Sequence, residues 1–187
     1  MCSRYGETIL DLDGSGPLHP FRARCEYLPG HRFITYIGHL NDEATVVNGF
    51  DEKGSFTQII HYEASLPAIE ALISTSGKCS QKLDYECKRS KLFGSPVANR
   101  SEFSPYGFWT SRQGQVMDFW AGAEPGSFMC KCGIEKSCYD AEKWCNCDSA
   151  HDDWLMDGGE ITQQDFLPVK SLHFGDTGTP MDDKEGR

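Results

Sequence analysis

Residues 130–154 read CKCGIEKSCYDAEKWCNCDSAHDDW, and five cysteines within them, Cys130, Cys132, Cys138, Cys145 and Cys147, decide how this chain is held together. Thiols at this density fit either disulfide bridges made in an oxidising compartment or a tetrahedral thiolate site for zinc. Zinc knuckles usually space paired cysteines as C-x2-C, which lets both sulfurs reach one ion. Here the pairs are C-x-C, and Cys2, Cys25, Cys79 and Cys87 make no second metal grouping. Disulfides are therefore the expectation, with an intracellular zinc-binding protein as the alternative. Nine cysteines leave one over, unpaired or bridged to part of a longer chain. Cys2 is expected to bond Cys25, and Cys79 to bond Cys87, while pairing inside the cluster stays open.

Composition narrows the classes further. The 187 residues suit one domain, or one domain with a small appended module. A chain that is 39% hydrophobic and 12% aromatic folds and does not stay disordered. The net charge of -10 repels a phosphate backbone or an anionic membrane surface unless a basic patch intervenes. The densest basic stretch, Lys88, Arg89 and Lys91, is short and offset by Asp84 and Glu86. No apolar run reaches the roughly 18 residues that span a bilayer, and Met1 to Gly6 lacks the apolar region of a signal peptide. An extracellular chain of this kind is thus expected to be a fragment of a longer secreted or membrane-anchored protein.

Periodicity gives a first half of short strands, at Thr8 to Leu12, Phe21 to Cys25, Phe33 to Ile37, Thr45 to Val47 and Phe56 to Tyr62. Turn signals such as Pro29-Gly30 and Asn48-Gly49 separate them. One helix is well signalled. Ser65 can cap it, Pro67 is tolerated in its first turn, and Leu66, Ile69, Leu72 and Ile73 recur at helical spacing until Gly77. The second half shows little periodic patterning, and is expected to be held by bridges and aromatics without a regular sheet. Residues 179–187 read as a polar tail or linker.

Several residues are candidates for chemistry. Asp148, Asp152, Asp153 and Asp157 could hold calcium, because carboxylates this dense repel one another unless solvated or neutralised by a cation. An apparent EF-hand start at Asp11 fails, since the twelfth residue is Arg22 and not a bidentate glutamate. Asn99-Arg100-Ser101 is a glycosylation sequon in a polar, turn-rich loop. Nucleophilic catalysis needs a free thiol or serine beside a base. His61, His151 and His173 are present, but no elbow, phosphate loop or zinc-protease helix accompanies them. Trp109, Phe119, Trp120, Trp144 and Trp154 are expected mainly as a secondary core over the bridges, a minority serving as exposed binding anchors.

The landmarks also resemble a known family. They are Asp11-Leu12-Asp13-Gly14-Ser15-Gly16-Pro17-Leu18-His19-Pro20-Phe21, Ile60-His61-Tyr62-Glu63-Ala64-Ser65, Phe119-Trp120-Ala121-Gly122, Cys130-Lys131-Cys132-Gly133-Ile134, Cys145-Asn146-Cys147-Asp148 with Trp154, Leu167-Pro168-Val169 and Gly175-Asp176-Thr177. Together they resemble the fibrinogen-like domain of the contactin-associated protein (Caspr, neurexin IV) family, from about Tyr5 to Thr177. The chain departs from that family's pattern at Phe108-Trp109-Thr110-Ser111-Arg112 and at Trp120-Ala121-Gly122. The resemblance implies a fibrinogen C-terminal-like α+β domain over 1–178, with a twisted, mainly antiparallel sheet, one clear helix and a bridged, loop-rich half. It implies a non-catalytic adhesion or recognition module of a plasma-membrane protein's ectodomain, with contactin-type immunoglobulin proteins among its partners. Neither nucleic acid nor direct membrane insertion is expected. The alternatives are a secreted calcium-dependent lectin-like domain and a structural spacer between laminin-G-type domains.

Overall fold

A computed structural model describes residues 2, 5–30, 32–41, 43–178 and 184–187. The chain, expected as one domain over 1–178, divides into two compact units. One comprises residues 1–43 and 60–79, and the other 44–59 and 80–187.

The first unit is an antiparallel meander of β1 (Gly6–Leu10), β2 (Phe21–Leu28) and β3 (Arg32–Tyr36), with helix α1 (Leu66–Ser74). Alternation along β2 sends Phe21, Ala23 and Cys25 inward and leaves Arg22 and Arg24 exposed. Those inward residues cluster with Leu10 and with Ala68, Ile69 and Leu72 of the helix. Ser65 caps α1 by accepting from the Ala68 N–H, and Pro67 lies in its first turn. Thr75 ends the helix, two residues before the expected glycine. The bridge Cys2–Cys25 ties the chain start to β2 inside this core.

The second unit contains two three-stranded antiparallel sheets. One is ordered β4 (Phe56–Ile59), β8 (Ser171–Phe174), β6 (Phe108–Thr110). The other is ordered β7 (Leu155–Ile161), β5 (Gln81–Lys88), β9 (Glu185–Gly186). The expectation that the second half lacks a regular sheet is therefore corrected. The alternation of Leu83, Tyr85 and Cys87 with Lys82, Asp84 and Glu86 is a strand signal. In β7 the signal is hidden by Gly158, Gly159 and a buried Asp157. Tyr85 sits at the centre of the unit: it stacks on Phe174 at 4.5 Å, meets Trp120 edge-on, and hydrogen-bonds Ser90. Burial pushes its phenol up to about 12.

Two further expectations change. Thr45 to Val47 is not a strand; Val47 makes an isolated bridge to Gly186. The polar tail is not free at 184–187, while 179–183 lie outside the described residues. Gly186 exchanges backbone hydrogen bonds with Val47 at 2.7 and 3.1 Å, and Arg187 does so with Glu86 at 2.7 and 2.9 Å. A segment between two backbones satisfies its polar groups on both sides, which local composition cannot reveal.

The bridges are Cys2–Cys25, Cys87–Cys147, Cys130–Cys145 and Cys132–Cys138. The expected Cys79–Cys87 pair is not formed: Cys87 bonds Cys147 across 60 residues, and Cys79 carries the free thiol. Proximity in sequence misled here, because β5 carries Cys87 into the second unit while Cys79 belongs to the first. Non-reducing peptide maps should recover these four pairs, with Cys79 alone taking an alkylating reagent. A Cys79–Cys87 peptide would contradict the arrangement.

Gly186 has a steric reason. A Cβ there would overlap the buried Tyr85 hydroxyl. Gly186→Ala should destabilise the second unit by about 1–3 kcal/mol, seen as a lower denaturant midpoint and faster amide exchange at Val47 and Glu86. An unchanged midpoint would show that β9 is dispensable.

Candidate recognition surface

The outward face of the β7–β5–β9 sheet is built by the same alternation that buries Tyr85, Cys87, Asp157 and Ile161. On that face Met156 lies opposite Glu86 in register and is 50% exposed. Trp154, just before β7, is 41% exposed. The Arg187 guanidinium lies 4.7 Å from the Trp154 ring centroid, and its Nε donates to Glu86 at 2.7 Å. Nearby, Tyr139 and His151 pack ring to ring at 4.6 Å and share a 2.8 Å hydrogen bond. Asn146 links this pair to the strand: its Oδ1 accepts from the Tyr139 N–H, and its amide donates to the Met156 carbonyl. Aromatic, methionine and arginine side chains held by neighbours on a strand are the types enriched where proteins bind one another.

The first unit has a face of the same kind. Arg24 lies 5.2 Å over the Tyr36 ring, and the Tyr36 hydroxyl donates to Glu26 at 3.0 Å. That hydrogen bond to a carboxylate raises the Tyr36 pKa. Ile9, on β1, is 63% exposed.

The five aromatics divide. Trp109, Phe119 and Trp120 are fully buried, and the indole N–H groups of Trp109 and Trp120 donate to the carbonyls of Phe119 and Asp157. Trp144 is half-buried, and Trp154 is the exposed one. Sequence reasoning missed Arg187, Met156 and Tyr139. Met156 could have been found by alternation had β7 been recognised, whereas nothing local marks Arg187.

The four candidate calcium ligands do not converge: no three of their carboxylates lie within 4.8 Å of one another. Asp148 is buried, and its Oδ1 accepts from the backbone N–H groups of Leu92, Phe93 and Gly94 at 3.0, 2.9 and 2.7 Å. Asp157 is buried and accepts from Asn146 and Cys147. Asp152 is exposed and paired with Arg89, whose hydrogen bond lowers its pKa. Asp153 is exposed. Burial absorbs two of the carboxylates, Asp148 and Asp157, into loop architecture, where backbone N–H groups take the place of a cation. A group formed by Cys130, Cys145 and Asp157 lies within ion-binding distance, but its two sulfurs are bonded to each other and are not thiolates.

The nearest approach to hydrolytic geometry is Ser171 with His173 at 2.9 Å. Ser171 is buried and also bonds Thr110, while the other His173 nitrogen meets Thr57 at 3.1 Å. Both ring nitrogens thus face hydroxyls, and burial lowers the histidine pKa. This arrangement joins three strands of one sheet.

The fold and these faces define a disulfide-stapled antiparallel β protein with recognition-type surface chemistry. No described helix is long and apolar enough to cross a membrane. No family model matches the chain. It is 51% identical to Neurexin-4 of Drosophila melanogaster over 178 residues, 95% of the chain. It is 35% identical to Contactin-associated protein 1 of Homo sapiens over 173 residues, 92% of the chain. The chain spans 14% and 12% of those two relatives. Both matches support its place in the neurexin IV and contactin-associated protein family.

Asp148 carries a pH signature. Burial outweighs its three N–H donors and pushes the carboxyl up to about 7, and burial pushes Asp157 up to about 6. Folded pKa values above the unfolded value mean that the native state holds these protons more tightly. Their contribution is complete below the unfolded pKa of about 3.9 and is lost as pH rises through about 7 for Asp148 and about 6 for Asp157. Asp148→Asn should therefore flatten the fall in stability between about pH 4 and 7, measured as urea midpoints. Asp148→Ala should cost about 3 kcal/mol, because three buried N–H groups lose their acceptor. Equal pH slopes in wild type and Asp148→Asn would refute this account.

Proposed function

We propose that the chain is an extracellular cell-adhesion and recognition module, fibrinogen-like in kind and non-catalytic, within the ectodomain of a larger plasma-membrane protein. The observation that carries this reading is identity at 51% and 35%, across nearly the whole chain, with two relatives of which it spans only a small part. Such a match is that of one module in a long chain. The four bridges support an oxidising compartment. The landmark string from Asp11 to Thr177 supports the fibrinogen-like character.

The partner class follows from the name of one relative, a contactin-associated protein. We assign a contactin-type immunoglobulin adhesion protein to the face formed by Trp154, Met156, Arg187 and Tyr139. Trp154 and Arg187 supply the anchor, since a large ring braced by a guanidinium gives rigid contact area at low entropic cost.

The test is binding of the full ectodomain to an immobilised contactin-type protein. Trp154→Ala should weaken affinity about tenfold or more, about 1.4 kcal/mol, with the fold retained, because the ring is 41% exposed and lies outside the buried core. Wild-type affinity in Trp154→Ala and in Arg187→Glu would remove this face from the interface. Unimpaired binding after deletion of the whole module would favour a spacer. Sugar binding abolished by a calcium chelator would favour the lectin-like alternative.

A further inference from the structure

We infer that Asn99 is an N-glycosylation site, and that its glycan stands on the loop leading into β6; the inference rests on the extracellular reading above. Asn99-Arg100-Ser101 is the one Asn-x-Ser/Thr triplet in the sequence, with no proline at 100 or 102. Residues 98–102 are all exposed. Asn99 caps a short 3-10 turn, Arg100–Glu102, with its own backbone extended at φ -157° and ψ 169°. Its carbonyl Oδ1 accepts from the Ser101 N–H at 3.0 Å and from the Ser101 hydroxyl. The hydroxyl that the sequon requires is thus already on the amide, and the amide nitrogen Nδ2 is left on the outer side. Its one partner there is Glu102 Oε1, at 2.7 Å, an exposed side chain that can swing away.

The transfer is balanced with a lipid-pyrophosphate-linked oligosaccharide as donor. The Asn99 amide nitrogen attacks the anomeric carbon, an N–C bond forms, and the carbon–oxygen bond to pyrophosphate breaks. The amide gives up one proton to base, and the lipid pyrophosphate leaves with the electron pair. The native fold tolerates the product, because Nδ2 supports no buried contact and a substituted amide keeps its carbonyl for both Ser101 donors. Chain order also favours access. The bridge that encloses this loop, Cys87–Cys147, cannot close until Cys147 follows Asn99 into the lumen.

A glycan at 99 divides the surface by function. The loop bearing it becomes a shielded side, and recognition is directed to faces without a sequon, including the one bearing Trp154 and Arg187.

The experiment is glycopeptide mapping of the full-length protein purified from secreting eukaryotic cells, with peptide N-glycosidase release in 18O water. Expected are a glycan at Asn99, its conversion to 18O-labelled aspartate, loss of occupancy in Ser101→Ala, and retention in Ser101→Thr. Asn99 unmodified in protein whose four bridges have formed would overturn the assignment alone. Free thiols throughout, with no glycan, would overturn the extracellular reading and this site with it.

Discussion

One carboxylate oxygen, Oδ1 of Asp148, receives three consecutive backbone N–H groups, those of Leu92, Phe93 and Gly94. The second unit depends on that clamp, because irregular chain buried inside a core must find acceptors for its amides without a strand beside it. The neighbouring residue, Cys147, is bonded to Cys87 on β5. Bridge and carboxylate therefore fasten the same short turn, Cys147–Ser149, from adjacent positions, one to β5 and the other to the irregular chain at Leu92 to Gly94. The bridge closes a loop of 60 residues, which constrains the unfolded chain by about 4 kcal/mol. The carboxylate then specifies the conformation that the bridge alone would leave loose.

The clamp extends outward as a series. Asp157 fixes the backbone of Asn146 and Cys147, and the Asn146 side chain reaches Tyr139 and Met156. Asp176 takes the Lys91 N–H on one oxygen and the Lys184 ammonium on the other. Asp118 does the same with Gly126 and Arg100. Buried carboxylates here act as acceptors for irregular backbone, replacing the ladder hydrogen bonds that regular strands would supply. This explains how a half with much irregular chain is held in one conformation.

The recognition face inherits its order from this interior. Met156 stands on the strand that carries Asp157, Trp154 immediately precedes that strand, and Arg187 is placed by β9 pairing along β5. The exposed side chains are therefore presented by a backbone fixed from below, a condition for binding without a large ordering cost. The Asn99 loop differs in kind. The polar groups of Ala98, Asn99, Ser101 and Glu102 satisfy one another locally, and Arg100 ties the loop to Asp118 and Val116.

Local sequence determined the first unit well. Alternation in β2, the Ser65 cap and the Leu66 to Ile73 stripe are short-range signals, and each produced the element it announces. The density of cysteines determined that bridges hold the chain, and landmark strings pointed to the family that the relatives support. Tertiary structure alone decided the partner of Cys87, the insertion of Glu185–Gly186 as a strand, and the fate of the four aspartates. The physical reason is common to all three. Each depends on which distant backbone arrives alongside, and a side chain's chemistry states what it can bond without stating what it will meet.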